Sequence, residues 1–118
     1  MSMVLRQLLP IAMSVVALLW TITPRALAAG GSGAATIVLA REFMFAPASL
    51  TVSAGSTVTW TNKDDEPHTV VSEAGLFRSG ALDTGDSFSF RFDKPGTYRY
   101  TCSIHPRMVG TIVVQQPP

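Results

Sequence analysis

Cysteine is nearly absent from this sequence: Cys102 is the only one in 118 residues. One cysteine cannot form a disulfide within the chain, so the disulfide framework of many small exported domains is excluded. If the chain is exported, the thiol is either a liability in an oxidising compartment or is occupied by a ligand. Coordination of a metal ion is one way to occupy it.

Charged residues are also scarce, at 14% of the chain, and the formal net charge is +1. Nucleic-acid-binding domains carry lysine and arginine side chains clustered in a patch or stripe. Because the basic residues here are scattered, the composition argues against a nucleic-acid partner.

A long apolar run occurs only near the N-terminus, over residues 8–22, with Arg6 before it. The run is shorter than the ~20 apolar residues that a membrane-spanning helix needs. The Ala-Leu-Ala sequence at 26–28 has the small-x-small pattern after which signal peptidase cleaves. Residues 1–28 are therefore predicted to be a secretory signal peptide, and an uncleaved anchor is the alternative.

The rest of the chain is predicted to be a linker and one domain. Residues 29–35 read AGGSGAA, which is typical of a flexible linker, and residues 36–118 form the predicted domain. Cleavage would remove two of the nine basic residues and leave the remainder close to neutral. We expect an exported, periplasmic monomer without stable membrane insertion.

Helical periodicity is lacking after the N-terminal run, and short segments of alternating polarity predict an all-β sandwich or barrel. Val58 and Trp60 should share one face of a strand, and the phenylalanines of 87–92 one face of another. Met44, placed between Phe43 and Phe45, is predicted to lie in the core. The β-prone segments are 36–40, 43–47, 50–52, 57–62, 69–72, 87–92, 97–102 and 110–114.

The segment CSIHPRM, residues 102–108, brings three soft metal ligands together: Cys102, His105 and Met108. His68 is the only other histidine, and it follows a loop that is expected at the same end of the β scaffold. Two histidines, a thiolate and a weak axial methionine are the ligands of a blue-copper electron-transfer site. The sequence therefore predicts one copper ion bound by these four side chains.

The same residues also have interpretations that involve no copper. Taken singly, a lone cysteine or methionine is more often core packing, but four such residues in ligand spacing favour a metal. Structural zinc sites use cysteine and histidine, and methionine is not among their usual ligands. Cys102 and His105 could form a nucleophile–base pair, but no orienting partner is evident, so no enzyme activity is predicted. A copper storage or delivery module remains the alternative function, although such proteins tend to carry additional Met or His clusters.

Two hydroxyl residues directly follow ligands: Thr69 follows His68, and Ser103 follows Cys102. A hydrogen bond between them would tie the two ligand loops together and orient the ligands. Simple solvation of both hydroxyls is the alternative.

The segments FMFAPASLTVSAGSTVTWTNKDDEPHTV and SFSFRFDKPGTYRYTCSIHPRMVGTIVV resemble the cupredoxins, most closely those of the amicyanin type and their plastocyanin-type relatives. The resemblance covers residues 36–114. The C-x2-H-x2-M spacing is specific to amicyanin-type members, since plastocyanin-like proteins place two more residues before the methionine.

The resemblance implies a Greek-key β-sandwich with a type 1 copper at one pole, bound by the four side chains named above. It implies that the His105 imidazole reaches the surface through an apolar patch, carries the electron, and takes up a proton in the reduced protein. It also implies redox partner proteins, which in amicyanins are a quinoprotein amine dehydrogenase and a c-type cytochrome.

Two positions depart from the amicyanin pattern. Amicyanins have asparagine where Thr69 stands, which leaves the hydrogen bond between the ligand loops open. They have an aromatic residue where Arg107 stands, which places a positive charge beside the implied docking face. We therefore expect a partner with acidic groups at its rim.

Overall fold

The computed structural model describes residues 36–117, and within this range the chain forms strands and loops without a helix. Consequently, no helix in this part of the chain is long and apolar enough to cross a membrane. The predicted signal peptide and linker lie outside the described residues and stay predictions. The strands are β1 Thr36–Arg41, β2 Met44–Ala46, β3 Ser49–Ser53, β4 Ser56–Asn62, β5 Val71–Ser72, β6 Ser87–Phe92, β7 Gly96–Thr101 and β8 Val109–Gln115.

The eight strands form two sheets of four, in the orders β2-β1-β4-β6 and β3-β8-β7-β5. Strands β1 and β4 are parallel, as are β3 and β8, and the other pairs are antiparallel. Parallel neighbours cannot be joined by a tight hairpin, so the chain crosses between the sheets. The predicted β-sandwich is confirmed.

The core lies between the sheets and follows the period-2 alternation of the strands. On β4, Val58, Trp60 and Asn62 are buried, whereas the threonines between them are more exposed. Trp60 packs against Phe77 and edge-on against Tyr100, with ring centroids 5.5 and 5.3 Å apart. The predicted face of Val58 and Trp60 is therefore confirmed, and an aromatic cluster fills the space between the sheets.

The prediction that Met44 lies in the core is wrong. Met44 is 59% exposed, whereas Phe45 is 2% exposed. Successive side chains of a strand point to opposite faces, so the burial of Phe45 on β2 turns Met44 outward. Phe43 lies in the turn between β1 and β2 and is 50% exposed, so both residues contribute apolar surface.

Candidate metal centre

The segment 102–108 forms a closed loop between β7 and β8. The Cys102 amide donates to the Met108 carbonyl at 3.1 Å, and the Met108 amide donates to the His105 carbonyl at 2.9 Å. Cys102 and Met108 are buried, and His105 is partly exposed. The backbone hydrogen bonds thus hold the ends of the loop together, directly before β8 begins.

His68 reaches the same end of the sandwich from the loop that follows β4. Its backbone pairs with Leu82, with N–O distances of 3.1 and 2.7 Å. The buried Asn62 side chain donates to the carbonyls of Glu66 and Leu82, at 2.8 Å each, and accepts from the Asp64 amide at 2.9 Å. Asn62 therefore shapes the loop that delivers His68. Sequence reasoning missed this role, although the alternation of β4 placed Asn62 on the buried face.

Three of the four predicted ligands meet at this end. The Cys102 Sγ lies 3.8 Å from the Nδ1 atoms of both His68 and His105, and the three ligand atoms lie within 4.8 Å of one another. Bonds of ~2.3 Å to sulfur and ~2.0 Å to nitrogen, about 120° apart, would separate the sulfur from each nitrogen by about 3.7 Å. The donor set and its spacing fit one first-row metal ion. Met108 is buried at the end of the same loop.

The surroundings of Cys102 favour the thiolate that a soft metal requires. Burial raises the pKa of the thiol, but hydrogen bonds outweigh this effect and lower it to about 6. The Thr69 amide donates to Sγ at 3.3 Å and the Thr69 hydroxyl contacts it at 3.8 Å, and the His105 amide and the two histidine rings also lower the pKa. Near neutral pH these contacts therefore favour the thiolate form of Cys102.

The two ligand loops are joined by Thr69 and Ser103. The Thr69 Oγ1 accepts from the Ser103 amide at 2.7 Å and lies 2.8 Å from the Ser103 Oγ. Thr69 therefore joins the two ligand loops although amicyanins have asparagine at this position. The predicted hydrogen bond between Thr69 and Ser103 is confirmed.

A family model described as "Cupredoxin-like domain" matches residues 11–114. The chain belongs to the cupredoxin family. It is 41% identical over 85 residues to a plastocyanin from Scenedesmus fuscus, and the matched segment covers 61% of this chain and 87% of that protein. It is 36% identical over 98 residues to amicyanin from Paracoccus denitrificans, which covers 79% of this chain and 74% of that protein.

Solved structures agree with this assignment. A purple cupredoxin from Nitrosopumilus maritimus superposes with a TM-score of 0.64 at 35% identity, covering 68% of this chain and 99% of that one. A Cu(I) form of an amicyanin mutant superposes with a TM-score of 0.66 at 32% identity, covering 69% of this chain and 82% of that one. The resemblance to amicyanin-type cupredoxins is therefore supported by both sequence and fold.

In this cupredoxin, His105 opens onto an apolar groove. The groove has a volume of about 370 Å³ and is lined by Phe43, Ile104, His105, Pro106, Arg107 and Met108. Phe43 and Ile104 are 50% and 48% exposed, and Arg107 adds a positive charge. Because His68 is fully buried, His105 is the histidine of the site that reaches the surface.

The Asp64 carboxylate was not anticipated from the sequence, yet it contacts His68 directly. The distance from its Oδ2 to the His68 Nε2 is 2.7 Å. Burial raises the pKa of Asp64, but hydrogen bonds from the Phe43 amide, His68 and the Glu42 amide outweigh it and hold the pKa below its usual value. An ionised carboxylate only accepts, so Nε2 carries the proton of the neutral ring and the His68 Nδ1 is left free for a metal.

The same carboxylate holds the turn between β1 and β2. Its Oδ1 accepts from the Glu42 amide at 2.6 Å and its Oδ2 from the Phe43 amide at 3.0 Å. Glu42 and Phe43 have φ angles of 55° and 57°, a left-handed conformation that costs roughly 1–2 kcal/mol per residue without glycine. Asp64 offsets part of this cost.

Proposed function

We propose that this cupredoxin carries single electrons between redox partner proteins through one copper ion, bound by His68, Cys102, His105 and Met108. The observation that carries the proposal is the equal 3.8 Å separation of the Cys102 Sγ from two imidazole Nδ1 atoms. Bound copper supplies a centre that gains and loses one electron between Cu(II) and Cu(I). We infer no enzyme activity.

The protein's part is to hold the ligands in one geometry for both oxidation states. Cys102 contributes the thiolate, whose charge is stabilised by the Thr69 amide. The hydrogen bonds between Thr69 and Ser103 hold the two ligand loops together. Ligands that move little between the two states make electron transfer fast, so the hydrogen bonds between the ligand loops favour transfer over storage.

The electron would pass through His105, because this is the ligand that opens onto the apolar groove. We propose that the groove faces the partner during transfer. Arg107 lies in its wall, and a positive charge at the rim of a docking face accelerates association with an acidic partner. The expected partner therefore presents an apolar centre surrounded by carboxylates.

The predicted signal and the relatives support a proposal for the site of action and the partners. We propose that residues 1–28 direct export, that 29–35 form a linker, and that 36–118 form the copper-binding domain in the periplasm. A periplasmic dehydrogenase as donor and a c-type cytochrome as acceptor suit a monomeric carrier of this type.

The test is the absorption and EPR spectrum of the exported protein loaded with Cu(II). We expect an intense visible thiolate-to-copper band with narrow copper hyperfine splitting, reversible one-electron reduction, and loss of the band in Cys102→Ser. Met108→Leu should keep copper bound and shift the reduction potential. A colourless protein that binds zinc more tightly than copper would refute the proposal, and transfer of copper itself to a partner would favour the delivery alternative.

A further inference from the structure

One carboxylate, that of Asp64, contacts both a predicted metal ligand and the surface turn beside it. Its three partners are the Glu42 amide, the Phe43 amide and the His68 Nε2, at 2.6, 3.0 and 2.7 Å. All three donate a proton, so the two acceptor oxygens of a carboxylate match them and a side-chain amide would not. Asp64 is 22 and 21 residues from the turn in sequence, so this contact exists only in the folded chain.

The turn requires an external support because its residues do not suit its conformation. Two-residue hairpin turns with positive φ at both central positions favour Asn-Gly or Gly-Gly. Here Glu42 and Phe43 occupy these positions, with φ angles of 55° and 57°. The Asp64 carboxylate binds both amides of this turn, and it thereby stabilises a conformation that the local sequence disfavours.

The Glu42–Phe43 turn also covers the metal centre. The Phe43 ring lies edge-on to both imidazoles, with centroid distances of 5.6 Å to His68 and 5.0 Å to His105. If the turn opened, the two rings would lose this apolar neighbour, and the Asp64 carboxylate would lose the two amides that hold it beside His68.

We propose that Asp64 is a positioning residue that couples the Glu42–Phe43 turn to metal binding at His68. A metal on Nδ1 would stop rotation of the imidazole and keep Nε2 aimed at Asp64, which keeps the carboxylate in place for the two turn amides. Coupling of this kind is reciprocal, so an ordered turn also favours the metal-bound position of His68. The effect of metal binding on the turn rests on the proposed function, whereas the stabilisation of the turn by Asp64 does not.

The test is hydrogen exchange at the Glu42 and Phe43 amides, measured by NMR in the metal-free protein and in the diamagnetic Cu(I)-loaded protein. We expect copper to slow exchange at both amides about fivefold or more, a typical coupling between sites. The Gly55 amide, which donates to the Phe92 carbonyl at 2.6 Å, is the internal control. It lies at the other end of β4, so copper should affect it less.

Asp64→Asn is the informative variant, and Asp65→Asn is its matched control. Asp65 is exposed, lies in the same loop, and has no hydrogen bond or ion pair to the residues from 36 to 117. Asp64→Asn should accelerate exchange at the turn amides of the metal-free protein about tenfold, the loss of roughly one hydrogen bond. Asp64→Asn should also abolish the slowing of exchange by copper and change the visible spectrum of the copper-loaded protein. Asp65→Asn should resemble the parent protein in all of these measurements.

Two results would overturn the proposal. The first is unchanged exchange at the turn amides in Asp64→Asn, which would mean that the carboxylate does not hold the turn. The second is equal exchange in the metal-free and Cu(I) forms of the parent protein, a measurement that needs no variant to fold. Failure of the parent protein to bind copper would instead refute the proposed function, and the metal-free comparison would still report on the turn.

Discussion

The hydroxyl of Thr69 allows a sharp test of how the two ligand loops are held together. Thr69→Val keeps the shape of the side chain and removes the oxygen that contacts the Ser103 amide and the Ser103 Oγ, at 2.7 and 2.8 Å. The same oxygen makes a longer contact with the Cys102 Sγ, at 3.8 Å. An average hydrogen bond contributes about 1 kcal/mol net. Ser103 is exposed, so water can satisfy its freed groups, and the loss should stay near the sum of two bonds. We expect Thr69→Val to lower the free energy of unfolding by roughly 1–2 kcal/mol.

The assay is urea or thermal unfolding of the metal-free protein, in which no ligand adds to stability. A change of 1 kcal/mol shifts the Tm of a domain of this size by about 4–8 °C. Thr59→Val is the matched control, because the Thr59 hydroxyl also pairs with a serine, Ser89, at 2.7 Å. That pair lies on the solvent-facing side of a sheet and Val suits a strand, so the control should change stability by less than about 0.5 kcal/mol.

Copper binding gives a second readout for Thr69→Val. The substitution removes the contact of the hydroxyl with the Cys102 Sγ, at 3.8 Å, but the shorter hydrogen bond from the Thr69 amide, at 3.3 Å, comes from the backbone and survives. The variant should therefore keep its visible band while losing stability. A Thr69→Val variant as stable as Thr59→Val would refute the reasoning, and loss of the band would show that the hydroxyl, rather than the amide, governs the thiolate.

Three further predictions concern protonation, packing and docking. Hydrogen bonds lower the pKa of Cys102 from 9.0 to about 6, so unfolding of the metal-free protein takes up a proton between these values. The free energy of unfolding of the metal-free protein should rise with pH through this window by up to about 1.4 kcal/mol per pH unit more than that of Cys102→Ala. The difference between the two proteins is lost as pH falls through 6. Parallel pH slopes of the two proteins in urea unfolding would contradict this prediction. A Cβ at Gly110 would overlap the Tyr100 ring, so Gly110→Ala should destabilise the fold by about 1–3 kcal/mol, whereas Gly80→Ala, where a Cβ meets no atom within 4 Å, should be near neutral. Arg107→Glu should slow electron transfer with an acidic partner and remove the decrease in rate with rising salt; rates that do not depend on salt in the parent protein would exclude this role for Arg107.

Much of the fold could be predicted because strands leave a local record in the sequence. Alternation identified β4 and β6, and the turn residues between successive strands located most strand ends to within one or two positions. Met44 shows where this record fails. A run of three apolar residues, 43–45, has no alternation from which to choose a face, so only the packing of Phe45 against Tyr100, with centroids 4.7 Å apart, decides that Met44 faces solvent.

The residues that support the metal centre were less predictable. Thr69 and Ser103 could be anticipated because each adjoins a proposed ligand in the chain. Asp64 stood among other charged residues in a loop, and its partners at Glu42 and Phe43 belong to a different strand pair. A charged loop residue is usually solvated, so no local signal distinguished Asp64 from Asp65.

The sequence by itself determined which atoms are available for chemistry: one thiol, two imidazoles and a thioether, three of them within residues 102–108. It also determined an all-β scaffold, because period-2 alternation depends only on neighbouring residues. The tertiary structure decided that His68 approaches Cys102 across 34 residues, that its Nδ1 rather than its Nε2 faces the thiolate, and that Phe43 packs beside both rings. These are distances between groups that meet only through the pairing of distant strands and loops, and a local pattern carries no record of them.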